Sequence, residues 1–182
     1  MPTSGHEDEE IDKMYEQLEE LIERQKGSDN VIIMGDWNAV VGEGKDGNEV
    51  GLYGLGQRND RGDKLVEFCR NNKFVLTNTW FQQHKRRRYT WKKPGDIDEK
   101  RYQIDYILVR QRFRNSVKSS KSYPGADIDS DHNLVAMKVS VKLKRTVKGR
   151  SRQKWNMSQF KARATTFQQS IDDNKRNVEQ DG

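Results

Sequence analysis

The residues best suited to chemistry follow short apolar runs. The run at residues 31–34 ends in Gly35, and Asp36 and Asn38 come directly after it. Because α/β sheets place their chemistry at strand ends, this order predicts a strand that delivers a carboxylate and an amide to the edge of a sheet. A strand followed by an ordinary Asx turn is the other interpretation of the same residues.

Two further polar groups lie far downstream. Asp105 lies within an alternating apolar stretch, and Asp131 and His132 precede the last apolar run. The alternation of residues 102–109 places Asp105 on a largely apolar face, where a carboxylate needs a hydrogen-bonding partner, and His132 is the candidate. Together with Asp36, these side chains could hold a divalent cation and a phosphate.

A dense basic run at residues 85–93 ends in aromatic side chains. Cationic groups neutralise phosphates, and an exposed Trp can stack on a base or a sugar. The candidate contacts to nucleic acid are Arg86, Arg87, Arg88, Thr90, Trp91 and Lys92. The alternative is a solvated edge strand whose charges block pairing with another sheet.

Composition limits the class of protein. The 182 residues contain 34 Lys and Arg against 28 Asp and Glu, a formal charge of +6, which favours an anionic partner. The single cysteine, Cys69, excludes an intrachain disulfide and a cysteine zinc site. No apolar run is long enough for a membrane span and no signal-peptide pattern is present, so we expect an intracellular protein that does not enter membranes.

Several elements must position these groups. Apolar spacing predicts a helix over residues 7–26 and a second from Asn59 or Asp60 to about Asn72. Strands are predicted at residues 74–76, near 114–122 and after His132. From Lys144 the composition becomes basic and polar, so we divide the chain into a domain at residues 1–143 and a tail at 144–182. The tail could contain one short docked helix with an apolar stripe of Phe160, Ala164, Phe167 and Ile171.

Four motifs occur in an order that resembles the endonuclease/exonuclease/phosphatase superfamily, which has the DNase I-like fold. They are Gly-Asp-Trp-Asn at 35–38, Tyr-Thr-Trp at 89–91, Gln-Ile-Asp-Tyr-Ile-Leu at 103–108 and Ser-Asp-His at 130–132. The resemblance covers residues 1–143 and is close to the endonucleases of RTE-type non-LTR retrotransposons. It implies the C-terminal half of a two-sheet α/β sandwich, with mostly antiparallel strands and flanking helices.

The resemblance also implies a DNA endonuclease-like phosphodiester hydrolase that uses Mg²⁺, with Mn²⁺ as the alternative ion. Asp36 would orient or deprotonate the attacking water, and Asn38 would donate to a phosphate oxygen. His132, oriented by Asp105, would hold the scissile phosphate. Asp131 and Asp36 would contribute to the metal site. We predict a side-chain hydrogen bond between Asp105 and His132, with the remaining three residues opening onto the same cleft.

The chain also departs from the family pattern. The family's N-terminal half supplies an Asn, the principal metal-binding Glu and an active-site Tyr, and the alignment places that Tyr immediately before Met1. We therefore expect a partial active site, and sheet edges that the N-terminal half or a second copy would cover. The alternative function is a non-catalytic nucleic-acid or chromatin-binding protein derived from a retrotransposon endonuclease. DNA is the expected partner, and the nucleus rather than the cytoplasm is the expected compartment.

Overall fold

The computed structural model describes residues 8–26, 29–95, 100–126, 129–141 and 157–180, with Asp8 and residues 172–180 described as helix backbone alone. In chain order the helices and strands are α1 (Asp8–Glu23), β1 (Ile32–Asp36), α2 (Asp60–Asn71), β2 (Phe74–Leu76), β3 (Trp91–Lys92), β4 (Arg101–Tyr102), β5 (Asp105–Arg110), β6 (Val117–Tyr123), β7 (Leu134–Val139) and α3 (Met157–Gln180). Short 3₁₀ helices occupy Thr77–Thr79, Lys85–Arg87 and Gln111–Ser116.

The central sheet has the order β1-β5-β2, and both of its strand pairs are antiparallel. β6 pairs with β7, and β3 pairs with β4, again antiparallel in each case. The predicted mixture of α-helices and mostly antiparallel strands is therefore confirmed. Because β5 lies between two strands, its first residue, Asp105, has a fixed position at one end of the sheet.

The two faces of β5 enter two different apolar layers. Tyr106 and Leu108 join a cluster formed with residues of α1, α2 and the segment after β1. Val109 faces the other way and packs with Val75 of β2 and Val117 of β6. This alternation follows from the two-residue period of a strand. Helices therefore cover one face of the central sheet and the β6–β7 sheet covers the other, which is the sandwich arrangement that the resemblance implies.

The second predicted helix begins with a side-chain cap. Asn59 Oδ1 accepts hydrogen bonds from the backbone N–H of Gly62 at 2.9 Å and of Val40 at 3.0 Å. The cap satisfies a donor that the first turn of a helix would leave unpaired. It also ties α2 to the segment that leaves β1. The apolar side chains of α2, Leu65 and Phe68 among them, are buried against the sheet, as the sequence predicts.

The glycine loop, residues 37–59, has no regular helix or strand but is well packed. Val41 and Val50 are buried in the main core. A Cβ atom added at Gly51 would overlap the backbone of Thr79, and one added at Gly54 would overlap that of Gly42. Gly51 and Gly54 therefore permit close backbone contacts, and the glycine spacing alone does not reveal which contacts these are.

The chain divides into two compact units between Lys142 and Leu143. The second contains α3, which is longer than the short helix we predicted, and its side chains from 157 to 170 are exposed. The predicted boundary at residues 143 and 144 lies outside the described residues. In the described part of the chain, no helix has the length and apolar character needed to cross a bilayer.

Candidate active site

Asp105 and His132 form a hydrogen-bonded pair, which confirms the predicted contact. His132 Nδ1 lies 3.1 Å from Asp105 Oδ2 and 3.3 Å from Oδ1. Burial raises the pKa of Asp105 above its ordinary value, and hydrogen bonds from Thr90 and His132 oppose that rise. When Asp105 is ionised it can only accept, so the imidazole must carry its proton on Nδ1. The other ring nitrogen, Nε2, then faces away from Asp105.

Asp36 and Asn38 form the second polar group, at the end of β1. The backbone N–H of Asn38 donates to Asp36 Oδ1 at 2.8 Å, and its side-chain amide donates to Oδ2 at 3.0 Å. Asn38 has a φ of 48°, a left-handed conformation that Asn tolerates better than most residues. The Asx-turn interpretation is thus correct in local geometry, and the turn itself presents the carboxylate and the amide together.

The register of β1 and β5 brings the Asp36 group and the Asp105–His132 pair to the same end of the sheet. Asp36 is the residue of β1 that lies directly opposite Asp105 of β5. Side chains at opposed positions of neighbouring strands point to the same face of the sheet. That face opens into a cavity of about 220 Å³, which both aspartates and Asn133 line together with Met34, Gly35, Tyr106, Ile107 and Val135. Asn38 and Asp131 are not among the residues that line this cavity, and a single cleft shared by all of these residues stays a prediction.

Asp131 is held at the surface by a tryptophan. Trp91 Nε1 donates to Asp131 Oδ2 at 2.8 Å. This bond, followed by the charge of His132, lowers the pKa of Asp131 below its usual range. The ring of Trp91 also lies near that of His132, with centroids 6.3 Å apart. Asp131 is therefore an ionised, exposed carboxylate beside the Asp105–His132 pair.

The donor set for a divalent cation is incomplete. Within the described ranges, no three His, Cys, Asp or Glu residues form a group that could hold a metal ion. Asp36 is engaged with Asn38, and Asp131 with Trp91. Mg²⁺ requires near-octahedral oxygen coordination, so two dispersed carboxylates do not make a complete site. The residues described here therefore do not fit a self-sufficient Mg²⁺ site.

The basic run divides into exposed and internal residues. Arg86 and Arg87 are exposed on a 3₁₀ turn. Arg88 instead donates to the backbone carbonyls of Gln83 at 2.9 Å and Gly54 at 3.1 Å, and its guanidinium lies over the ring of Tyr53. Two of its guanidinium nitrogens thus hold two chain segments together, and its contact with nucleic acid stays a prediction.

Thr90, Trp91 and Lys92 complete the candidate contacts from this run. Thr90 is completely buried, at 0% exposure, so its side chain cannot reach nucleic acid and that assignment is wrong. Trp91 and Lys92, in β3, are both half-buried. Lys85, just upstream, pairs with Glu43 at 2.6 Å and lowers the pKa of that carboxyl. The exposed positive charges in the described part of the run are thus Arg86, Arg87 and Lys93, together with Lys85 in its pair with Glu43.

Sequence reasoning missed Asn78 as a supporting residue. Its side-chain amide donates to the carbonyl of Asp105 at 3.0 Å, and its carbonyl oxygen accepts from the N–H of Ile107 at 3.3 Å. The side chain therefore pairs with the backbone of β5 as a neighbouring strand would, and this fixes the start of β5. The available signal was an amide two residues after the end of a strand, which is also the position of Asn38 relative to β1.

Comparison with known proteins identifies the family. A model of the endonuclease-reverse transcriptase family matches residues 2–136. Craniofacial development protein 2 from Bos taurus is 48% identical over 143 residues, and that from Tragulus javanicus is 46% identical over the same length. These alignments cover 79% of this chain but only 24% and 25% of the two relatives, so the chain spans about a quarter of the length of the curated relatives it matches.

Two solved structures share the fold at low sequence identity. The endonuclease domain of TRAS1, a telomere-specific non-LTR retrotransposon, matches with a TM-score of 0.54 and 15% identity, over 75% of this chain and 54% of that one. The 3′ phosphatase NExo from Neisseria, bound to a product DNA hairpin, matches with a TM-score of 0.51 and 13% identity, over 70% of this chain and 51% of that one. The chain belongs to the endonuclease-reverse transcriptase family of the endonuclease/exonuclease/phosphatase superfamily, with the DNase I-like fold.

Proposed function

We propose that this chain carries the phosphate-binding part of a phosphodiester hydrolase site that acts on DNA. The observation that supports it best is the Asp105–His132 pair at the sheet end where β1 delivers Asp36 and Asn38. A carboxylate that orients an imidazole is a recurring means of presenting one ring nitrogen in a defined direction. A phosphodiester oxygen is the group that the remaining nitrogen would contact.

Each residue has a defined part in this proposal. His132, through Nε2, holds a non-bridging oxygen of the scissile phosphate and stabilises the charge that develops there. Asn38 donates from its amide to a second phosphate oxygen. Asp36 orients the attacking water or accepts its proton, since its carboxylate already lies beside that amide. Asp105 does not contact the substrate and acts through His132.

Mg²⁺ is the proposed cofactor, with Mn²⁺ as the alternative, and Asp36 and Asp131 are its proposed ligands. Such an ion would neutralise charge on the phosphate. The described residues provide no third ligand, so we expect weak ion affinity and slow hydrolysis from this chain by itself. The ion therefore enters the proposal as a requirement for activity, and the assigned roles above concern protein side chains.

A plasmid-nicking assay tests this proposal. The chain is incubated with supercoiled plasmid in Mg²⁺ or Mn²⁺, and compared with Asp36→Ala and His132→Ala. Asp60→Ala, an exposed carboxylate in the first turn of α2, is the matched control. We expect slow nicking by the wild type and the control, reduced about 100-fold in each site variant. An absence of nicking by the wild type, or nicking that both site variants retain, would overturn the proposal.

A second candidate function is nucleic-acid binding without catalysis, as an interaction protein derived from a retrotransposon endonuclease. The incomplete metal donor set and the exposed pair Arg86 and Arg87 favour it. Binding to a short DNA duplex is measured over a range of salt concentrations. Each lost phosphate contact should reduce the log–log slope by about 0.9, so Arg86→Ala and Arg87→Ala should each flatten it. Arg24→Ala, an exposed Arg paired with Glu20, should leave the slope unchanged.

A further inference from the structure

Thr90 occupies an unusual position for a residue of a basic run. It precedes β3 in the chain, yet its side chain is completely buried between β3 and the start of β5. A buried hydroxyl is costly unless all of its hydrogen-bonding capacity is used. The partners of Thr90 therefore indicate why a polar residue lies at this point.

The hydroxyl of Thr90 is hydrogen-bonded to the start of β5 and to the residue before it. Its oxygen accepts from the backbone N–H of Ile104 at 2.9 Å and from that of Asp105 at 3.1 Å. A side-chain hydrogen bond between Thr90 and Asp105 also lowers the pKa of that carboxyl, against the rise that burial causes. An ionised carboxylate can only accept, so the Thr90 hydroxyl is the donor in this bond. A hydroxyl has two lone pairs and one hydrogen, so these three bonds use it fully. They fix both the backbone and the side chain of Asp105.

The backbone of Thr90 is hydrogen-bonded to the segment that carries His132. Its carbonyl accepts from the N–H of Asn133 at 2.6 Å, and the next residue, Trp91, forms an isolated antiparallel bridge with His132. The N–H of Thr90 donates to the carbonyl of Tyr102 in β4 at 2.7 Å. One residue thus joins the two chain segments that supply the two members of the pair.

We propose that Thr90 is the positioning residue of the Asp105–His132 pair: its hydroxyl orients the carboxylate, and its carbonyl fixes the chain beside the imidazole. The importance of this orientation for catalysis rests on the proposed function, but the orientation itself is a property of the free protein. Thr90 does not contact substrate and acts through Asp105. A threonine in this place supplies an acceptor for two N–H groups and a donor for one carboxylate, which valine, of the same shape, cannot supply.

The test measures the tautomer of His132 by ¹⁵N NMR of histidine-labelled protein at about pH 8, where imidazole in water is neutral. The variants are Thr90→Val, which keeps the shape, and Thr90→Ser, which keeps the hydroxyl. In the wild type and Thr90→Ser we expect the proton on Nδ1, held by Asp105. In Thr90→Val we expect a marked increase in the form protonated on Nε2. His84, whose Nδ1 accepts from the N–H of Arg86, is the internal reference and should keep its tautomer in both variants.

The outcomes separate this proposal from a merely structural role and from the proposed function. A Thr90→Val protein that folds and keeps the wild-type tautomer ratio overturns the proposal. If that variant does not fold, the test is the rate of hydrogen exchange at the Thr90 hydroxyl of the wild-type protein. A buried hydroxyl proton bonded to Asp105 should exchange far more slowly than the hydroxyl protons of the exposed Thr165 and Thr166. Exchange as fast as in those residues would also overturn it. Neither measurement uses DNA, so failure in the nicking assay leaves this result independent.

Discussion

Asp36, the last residue of β1, and Asp105, the first residue of β5, lie directly opposite each other across this antiparallel pair. Like charges at opposed positions destabilise a sheet, and the charge of Asp36 contributes to the raised pKa of Asp105. The sheet accommodates this arrangement by giving each carboxylate its own donors: Asn38 for Asp36, and His132 with Thr90 for Asp105. A fold selected for stability alone would not require two opposed aspartates here, which favours a role in binding or chemistry.

The raised pKa of Asp105 predicts a pH-dependent stability. A carboxyl whose pKa is higher in the folded than in the unfolded protein adds stability that is complete below its ordinary pKa of 3.8 and is lost as the pH rises through the folded value. Asp105→Asn does not titrate. We expect the free energy of unfolding of the wild type, relative to this variant, to fall as the pH is raised above 3.8, as measured by urea denaturation.

The control for this experiment is Asp60→Asn, at an exposed carboxylate of α2. The difference between the wild type and that variant should lack the decrease expected for Asp105→Asn. A difference between the wild type and Asp105→Asn that is constant, or that grows with pH, would contradict the prediction.

Truncation of Arg88 should lower stability, whereas truncation of Arg87 should weaken DNA binding. Arg88→Ala removes two hydrogen bonds to backbone carbonyls, so we expect it to lower the free energy of unfolding by about 2 kcal/mol. Arg87→Ala should leave stability nearly unchanged and weaken DNA binding. Chemical denaturation and a DNA-binding titration on both variants check this. Equal stability of the two variants would show that the internal contacts of Arg88 contribute little.

Gly62→Ala should reverse the usual effect of this substitution. In an exposed helix, Ala is more favourable than Gly by about 1 kcal/mol. At Gly62, however, a new Cβ would overlap the backbone carbonyl of Val40, which cannot move aside as a flexible side chain could. We expect a loss of about 2 kcal/mol in thermal or urea unfolding. Glu67→Ala, on an exposed part of the same helix, is the control. A Gly62→Ala protein that is more stable than the wild type would show that Gly62 does not lie this close to Val40.

Asn59→Ala should destabilise more than the loss of a simple helix cap. The side chain caps α2 through Gly62 and also holds the N–H of Val40. Loss of a cap alone costs about 1 kcal/mol, so we expect about 2 kcal/mol here. Asn59→Asp keeps both acceptor positions and should retain most of the stability. Urea denaturation of the two variants measures the difference, and an equal loss in both would indicate that the carbonyl oxygen of Asn59 is not the group that matters.

The sequence predicts the Asp105–His132 contact for a physical reason. A carboxylate on an apolar strand face needs a donor, and few candidates existed in the chain. The Asn59 cap was predictable on similar grounds, because capping depends on local residue types. The catalytic and metal-binding roles of Asp36, Asn38, Asp131 and His132 stay predictions.

The internal roles of Thr90 and Arg88 were not predictable from the sequence. Both belong to a basic run, and only the tertiary fold decides which of its side chains face the protein interior. A strand as short as β3 has too few residues to show an alternating pattern that would indicate its buried side. The same holds for the glycine loop, whose contacts depend on segments distant in the chain.

The close packing of the glycine loop has a consequence for labelling and digestion of the protein. A stretch of 23 residues without helix or strand would ordinarily be chosen as a site for inserting an affinity tag, or be expected to yield first to a protease. Here the backbone at Gly51 and Gly54 lies against other backbone, and within the loop Arg58 pairs with Asp46 at 2.7 Å. A protease must open such a segment before it can cut, so Lys45, though exposed, lies in a stretch that should resist trypsin for as long as the core remains folded.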